Sequence, residues 1–129
     1  NLTIHLDFAD RQIDMIEEGF DLAIRIAELK SSSHVARRLS PIQLILCASP
    51  DYLDRAGFPQ KPEDLKFHDI LYYYNQPTSS WTFIGPNGHK TRVNLAAKIR
   101  SNIGDFLCMS VVAGFGLVVS PSAKLKRAY

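Results

Sequence analysis

Metal binding, thiol chemistry and anion recognition are the chemistries that the side chains of this sequence could support, and their spacing separates them. His5, His34, His68 and His89 are scattered, with neither the His-x-x-x-His nor the Cys-x-x-Cys interval that lets one element present two ligands to a metal. They read as surface histidines. Cys47 and Cys108 each sit in an apolar run with no adjacent basic residue, so both read as reduced, inert thiols and not as a redox pair. Gly114-Phe115-Gly116 is a fragment of a dinucleotide fingerprint, but it follows a predicted helix and precedes a predicted strand, the reverse of the required order. It reads as a turn. No Gly-x-Ser-x-Gly elbow and no phosphate loop occurs, and no pair of carboxylates is singled out by its surroundings. These observations imply no enzyme, no cofactor and no metal.

Anion or ring recognition has better candidates. Arg25-Ile26-Ala27 ends a predicted strand, where ligands of open α/β sheets collect; its ordinary alternative is Arg25 paired with an acid such as Glu28. Asn102-Ile103-Gly104-Asp105 opens a predicted helix, offering an amide from Asn102 and close backbone approach at Gly104. Plain helix capping explains the same residues. Arg37, beside Arg38, could place a planar fork of donors on a carboxylate, although such a pair is commonly one solvated and one structural arginine. Trp81, with Phe83, could wall a pocket for a ring, or simply fill core. Tyr72, Tyr73 and Tyr74 alternate faces in a strand and cannot form one cage.

The elements that must position these residues follow from periodicity. Leu2, Ile4, Leu6 and Phe8 alternate with polar residues, predicting a strand. Asp10 to Gly19 predicts a short helix and Phe20 to Ile26 a strand buried on both faces, together a parallel βαβ unit with a right-handed crossover. Lys30 to His34 is turn-like. Ile42 to Ala48 predicts a strand, and Ser49-Pro50-Asp51 a strong helix start ending at Gly57. Pro62-Glu63-Asp64 starts a second short helix, and Ile70 to Tyr74 is strand. Trp81 to Ile84 and Lys90 to Val93 flank Gly85-Pro86-Asn87-Gly88, a hairpin signature. Ala97 to Ser101 is strand, and the helix to Ala113, apolar nearly all round, is expected to be buried in the fold. Leu117 to Ser120 is a last short strand.

The chain of 129 residues, 46% hydrophobic, is large enough to bury a core without disulfide or metal. Its 15 basic and 13 acidic residues are dispersed, giving a net charge of +2, too weak a field to argue for DNA binding. No apolar run is long enough for a membrane span, and reduced cysteines favour a cytoplasmic home.

Several segments in order resemble one family. Asp10-Arg-Gln-Ile-Asp-Met-Ile-Glu-Glu-Gly-Phe-Asp-Leu-Ala-Ile-Arg-Ile26, Val35-Ala-Arg-Arg-Leu39, Leu46-Cys-Ala-Ser-Pro-Asp-Tyr-Leu53, Pro62-Glu-Asp-Leu65, the Trp81 to Gly88 segment, and Val112-Ala-Gly-Phe-Gly-Leu117 with Pro121 resemble the effector-binding domain of LysR-type bacterial transcription regulators. The resemblance implies an α/β domain of the two-lobed periplasmic-binding-protein type (type 2), with a small-molecule cleft between lobes. On that pattern residues 1–36 are part of lobe one, 37–120 are lobe two with crossover strands, and 121–129 start the return to lobe one. The first strand and helix of lobe one, the closing C-terminal segment and the DNA-binding helix-turn-helix are absent from the sequence. Ser120-Pro121 departs from the commoner leucine-proline, and Asn102-Ile103-Gly104 from a more acidic or polar run, so the effector's identity does not carry over. The implied partners are a small anionic or aromatic effector, promoter DNA only through the N-terminal domain, and further copies of the chain as a homodimer or a tetramer built from dimers. In such dimers Leu2 to Phe8 and Asp10 to Glu18 are expected at the interface. The alternative is a solute-binding protein for transport, which shares the cleft.

Overall fold

The computed structural model describes residues 1–9, 11, 13–26, 35–73 and 80–122, and its regular elements lie between Leu44 and Pro121. β1 (Leu44–Cys47) leads into α1 (Pro50–Ala56) because Ser49, Pro50 and Asp51 supply what a helix start needs. The Ser49 hydroxyl accepts from the Tyr52 amide at 3.3 Å, Pro50 forfeits no required donor, and Asp51 sets negative charge against the helix's positive end. Gly57, with φ of 83°, ends the helix and donates its N–H to the Leu53 carbonyl at 2.8 Å. Pro62–Phe67 forms a 3-10 turn. The Asp64 carboxylate fixes its start, accepting from the Gln60 and Lys61 amides at 2.9 and 3.1 Å.

β2 (Ile70–Tyr73) and β5 (Ala97–Ser101) pair in parallel, with Leu71 opposite Ile99, Tyr72 opposite Arg100 and Tyr73 opposite Ser101. β1 pairs antiparallel with β6 (Val118–Pro121), Ile45 opposite Ser120 and Cys47 opposite Val118. Leu117 joins the two pairs: its carbonyl accepts from the Leu71 amide and its own amide donates to the Asp69 carbonyl, both at 2.8 Å. The strands therefore run in the order β5, β2, β6, β1. Gly116 makes that junction possible. Its φ is 149°, and a Cβ there would stand 2.2 Å from the Asp69 carbonyl oxygen. The second glycine of Gly114-Phe115-Gly116 is thus required by backbone crowding as well as by the turn.

β3 (Ser80–Ile84) and β4 (Lys90–Asn94) form the predicted hairpin, closed by Gly88 at φ 75° with its amide on the Gly85 carbonyl at 2.9 Å. Strand alternation sorts the sheet's side chains into two cores. Tyr72, Ile70 and Leu117 pack with Tyr52, Leu65, Trp81 and Val93 on one face. Leu71 and Val118 pack with Leu107 and Val111 of α2 (Gly104–Val112) on the other.

Two expectations are corrected. α2 is not buried all round: Leu107, Ser110 and Val111 meet the sheet, while Phe106, Met109 (73% exposed) and Val112 face outward. A single sheet covers one side of a helix, so apolar residues on the far side stay uncovered. The βαβ unit of residues 2–26 is also missing from the described residues. No strand forms at 1–9 or at 22–26, and residues 15–19 make a turn, held by the Phe20 amide on the Met15 carbonyl at 2.9 Å. A strand is held by its neighbours' backbone groups, and no described residue pairs with either segment. Leu2 and Phe8 are consequently 86% and 88% exposed. Asp10, the turn at Lys30 to His34 and Tyr74 lie outside the described residues.

Candidate functional site

The carboxyl ends of the parallel strands β2 and β5, at Tyr73 and Ser101, stand side by side, and α2 begins three residues beyond Ser101. Sequence reasoning placed Asn102 at the helix entry. The structure instead makes Ile103 the N-cap, with φ −106° and ψ 106°, and no side chain caps the helix. The Ser101 hydroxyl accepts from the Ile103 amide at 3.0 Å, turning the chain from strand into helix. Ser101 was missed as a site residue, although a hydroxyl two residues ahead of a helix entry is a legible turn signal. Asn102 is exposed, Gly104 is half-buried as the first residue of α2, and Asp105 sets a carboxylate in the first turn. Asn102, Ile103, Gly104 and Asp105 are thus brought together at strand ends and a helix N-terminus, a place that favours a polar or anionic group.

The other predicted residues fall elsewhere. Trp81 is 6% exposed and stacks on Tyr72, centroids 6.1 Å apart at 13°, so its ring fills core and lines no open surface. Arg25 and Ile26 lie in irregular chain and not at a strand end, both exposed; the Arg25 guanidinium donates to the Ile13 carbonyl. Ala27 lies outside the described residues, as does Glu28. Arg37 is exposed in irregular chain. The alternation expected of the tyrosines holds for two of them: Tyr72 packs in the Trp81 core and Tyr73 against the α2 core.

Both cysteines lie on the α2 side of the sheet. Cys47 packs against the Leu71, Leu107 and Val111 cluster, and the Cys108 sulfur lies 3.7 Å from the Ser120 hydroxyl. Burial pushes the Cys47 thiol up to about 11, with the neighbouring Cys108 adding to the shift. A thiol so held stays protonated near neutrality and is a poor nucleophile.

A family model described as the LysR substrate binding domain matches residues 1–129. An uncharacterized HTH-type transcriptional regulator of Haemophilus influenzae is 36% identical over 100% of this chain and 45% of its own length. The HTH-type transcriptional activator AaeR of Escherichia coli is 34% identical over 84% of this chain and 35% of its own length. The chain therefore spans less than half of the curated relatives it matches. Among solved structures, CrgA, a LysR-type transcriptional regulator from Neisseria meningitidis, superposes with a TM-score of 0.75 and 26% identity over 88% of this chain and 38% of CrgA. The regulatory domain of AphB in Vibrio vulnificus gives 0.73 and 26% over 91% of this chain and 57% of that domain. The relatives are transcriptional regulators and not transport proteins, which removes the solute-transport alternative. The chain belongs to the LysR substrate-binding domain family, with the mixed α/β fold of periplasmic-binding-protein type.

Proposed function

We propose that this domain senses a small anionic or aromatic metabolite at the ends of β2 and β5, in a cleft between lobes, and passes the binding to promoter DNA through an N-terminal helix-turn-helix. The observation that carries the reading is the convergence of Ser101 to Asp105 with the strand ends and the start of α2, in a chain of this family. Residues 37–120 act as lobe two and residues 1–36 as part of lobe one. Arg25 and Ile26 contribute the facing wall, and Arg37 lies at the crossover. A ligand that touches both walls favours one relative placement of the lobes, and that preference shifts the regulator's equilibrium on DNA. The domain carries no catalysis and needs no cofactor, and it works in the cytoplasm; among the described residues no helix is long and apolar enough to cross a membrane.

The domain works as a dimer or as a tetramer built from dimers. Its exposed apolar row, Leu2, Ile4, Leu6 and Phe8, together with residues 10–18, faces a partner copy; the outward side of α2 offers a second uncovered apolar surface. Sedimentation of the complete regulator is expected to show a dimer or larger species, and a concentration-independent monomer would sink this part of the reading.

The cleft itself is tested by a thermal-shift screen of the complete regulator with small carboxylates and aromatic acids. A compound that raises the melting temperature is expected to lose its effect in Asn102→Ala and Gly104→Val. A compound that stabilises both variants as well as the parent binds elsewhere and overturns the assignment.

A further inference from the structure

The start of α2 draws an anion less strongly than a helix end without an acid in its first turn. Asp105 already sets negative charge in the first turn, offsetting the positive end of the helix, so an anion arriving at Asn102 to Gly104 meets an acid. A cation close to the same strand ends would change that balance, and Arg100 is one.

Arg100 stands one residue before the carboxyl end of β5, directly opposite Tyr72. Leu71 and Ile99 pack on the α2 face of the sheet and Tyr72 on the other, so alternation puts Arg100 on the face away from α2. Its guanidinium carbon lies 5.7 Å from the centre of the Tyr72 ring, and that ring stacks in turn on Trp81. The side chain is exposed while its aromatic support is buried. The strand ends are therefore bracketed, with the helix start on one face and a cation resting on a rigid aromatic stack on the other. Burial pushes the Tyr72 phenol up, so the ring stays neutral beneath the guanidinium.

We propose that Arg100 is the specificity-determining cation of the effector site, receiving a carboxylate at the ends of β2 and β5 from the face opposite α2. The inference rests on the cleft reading above and adds the residue that selects the ligand's charge. Guanidinium supplies paired parallel donors that match a carboxylate and not a neutral amide.

The test is calorimetric titration of the complete regulator with benzoate, succinate and their neutral counterparts benzamide and succinamide. A carboxylate is expected to bind at least about tenfold more tightly than its amide, as charged hydrogen bonds do. Arg100→Gln should remove that preference, and Arg100→Lys, which keeps the charge over Tyr72 but loses the fork, should weaken the carboxylate by a smaller factor. The lysine variant carries the test if the glutamine variant fails to fold. Arg92→Gln, at an exposed arginine bonded to Ser80 in the hairpin, should leave binding unchanged. Undiminished carboxylate binding in both Arg100 variants, with Asn102→Ala still weakening it, overturns the role of Arg100 and leaves the cleft standing. Indifference to Asn102→Ala as well overturns both. Binding of the amides as tightly as the carboxylates, or of no carboxylate at all, overturns the charge selection.

Discussion

Leu2 to Phe8 and Ile70 to Tyr73 are both short, apolar and strand-like in sequence, and they end in opposite conditions. Ile70, Leu71 and Tyr72 are buried in two cores with hydrogen-bonded neighbours on both sides. Leu2, Ile4, Leu6 and Phe8 alternate as a strand should, yet they are exposed and pair with no described residue. Alternation specifies which face is to be covered; it does not supply the cover. β2 has β5 and Leu117 beside it and two layers of side chains above and below, and that difference of surroundings separates the two segments.

The comparison predicts unequal sensitivity to mutation, and the largest effect belongs to Gly116. Gly116→Ala drives a methyl into the Asp69 carbonyl at a positive φ and should destabilise the domain by more than about 3 kcal/mol in chemical denaturation; a loss under about 1 kcal/mol would mean that the junction yields easily. Leu71→Ala empties a site with 0% exposure and should cost about 2–5 kcal/mol by the same measurement. Ser49→Ala, which removes the hydroxyl accepting from the Tyr52 amide, should cost about 1 kcal/mol. Leu6→Ser is the sharpest contrast: within one protomer it should alter stability by less than about 0.5 kcal/mol, whereas a loss comparable to Leu71→Ala would show that residues 2–8 are covered within the same chain.

A chemical probe separates buried from exposed positions along another axis. Folding raises the Cys47 thiol from its ordinary 9.0 to about 11, so the folded state holds that proton more tightly. The resulting stabilisation is present below pH 9 and is lost as pH rises toward 11. Alkylation of Cys47 by iodoacetamide should accordingly be slow at pH 8 and accelerate steeply above pH 10. Rapid modification at pH 7 would contradict the burial that keeps this thiol neutral.

Where one residue type dictates one backbone outcome, the sequence was legible. Ser49-Pro50-Asp51 and Gly57 bounded α1, and Gly85 to Gly88 closed the hairpin, because caps and turns are decided by neighbours along the chain. Pro62-Glu63-Asp64 marked its element but not that the turn would tighten to 3-10. The parallel pairing of β2 with β5 depends on contacts distant in sequence. The outward side of α2 misled because apolar residues on every side say nothing about how many layers stand around a helix. At the strand ends, the run Asn102 to Asp105 was visible as a helix entry, while nothing in an alternating strand marks Arg100 as lying over the Tyr72 ring. Trp81 lies in the core, its ring part of the stack beneath Arg100.

The junction at Leu117 also has a mechanical side. Its two backbone hydrogen bonds attach the β1–β6 ribbon to β2 at one end, so a torque arriving along the ribbon is delivered at Asp69 and Leu117. Gly116 packs on the Asp69 carbonyl, and the Tyr52 hydroxyl accepts from the Asp69 amide at 2.8 Å. Twist in the ribbon is felt at the Asp69 backbone, and it reaches α1 along the chain through Ala48 and Ser49 and across the fold through the Tyr52 hydroxyl.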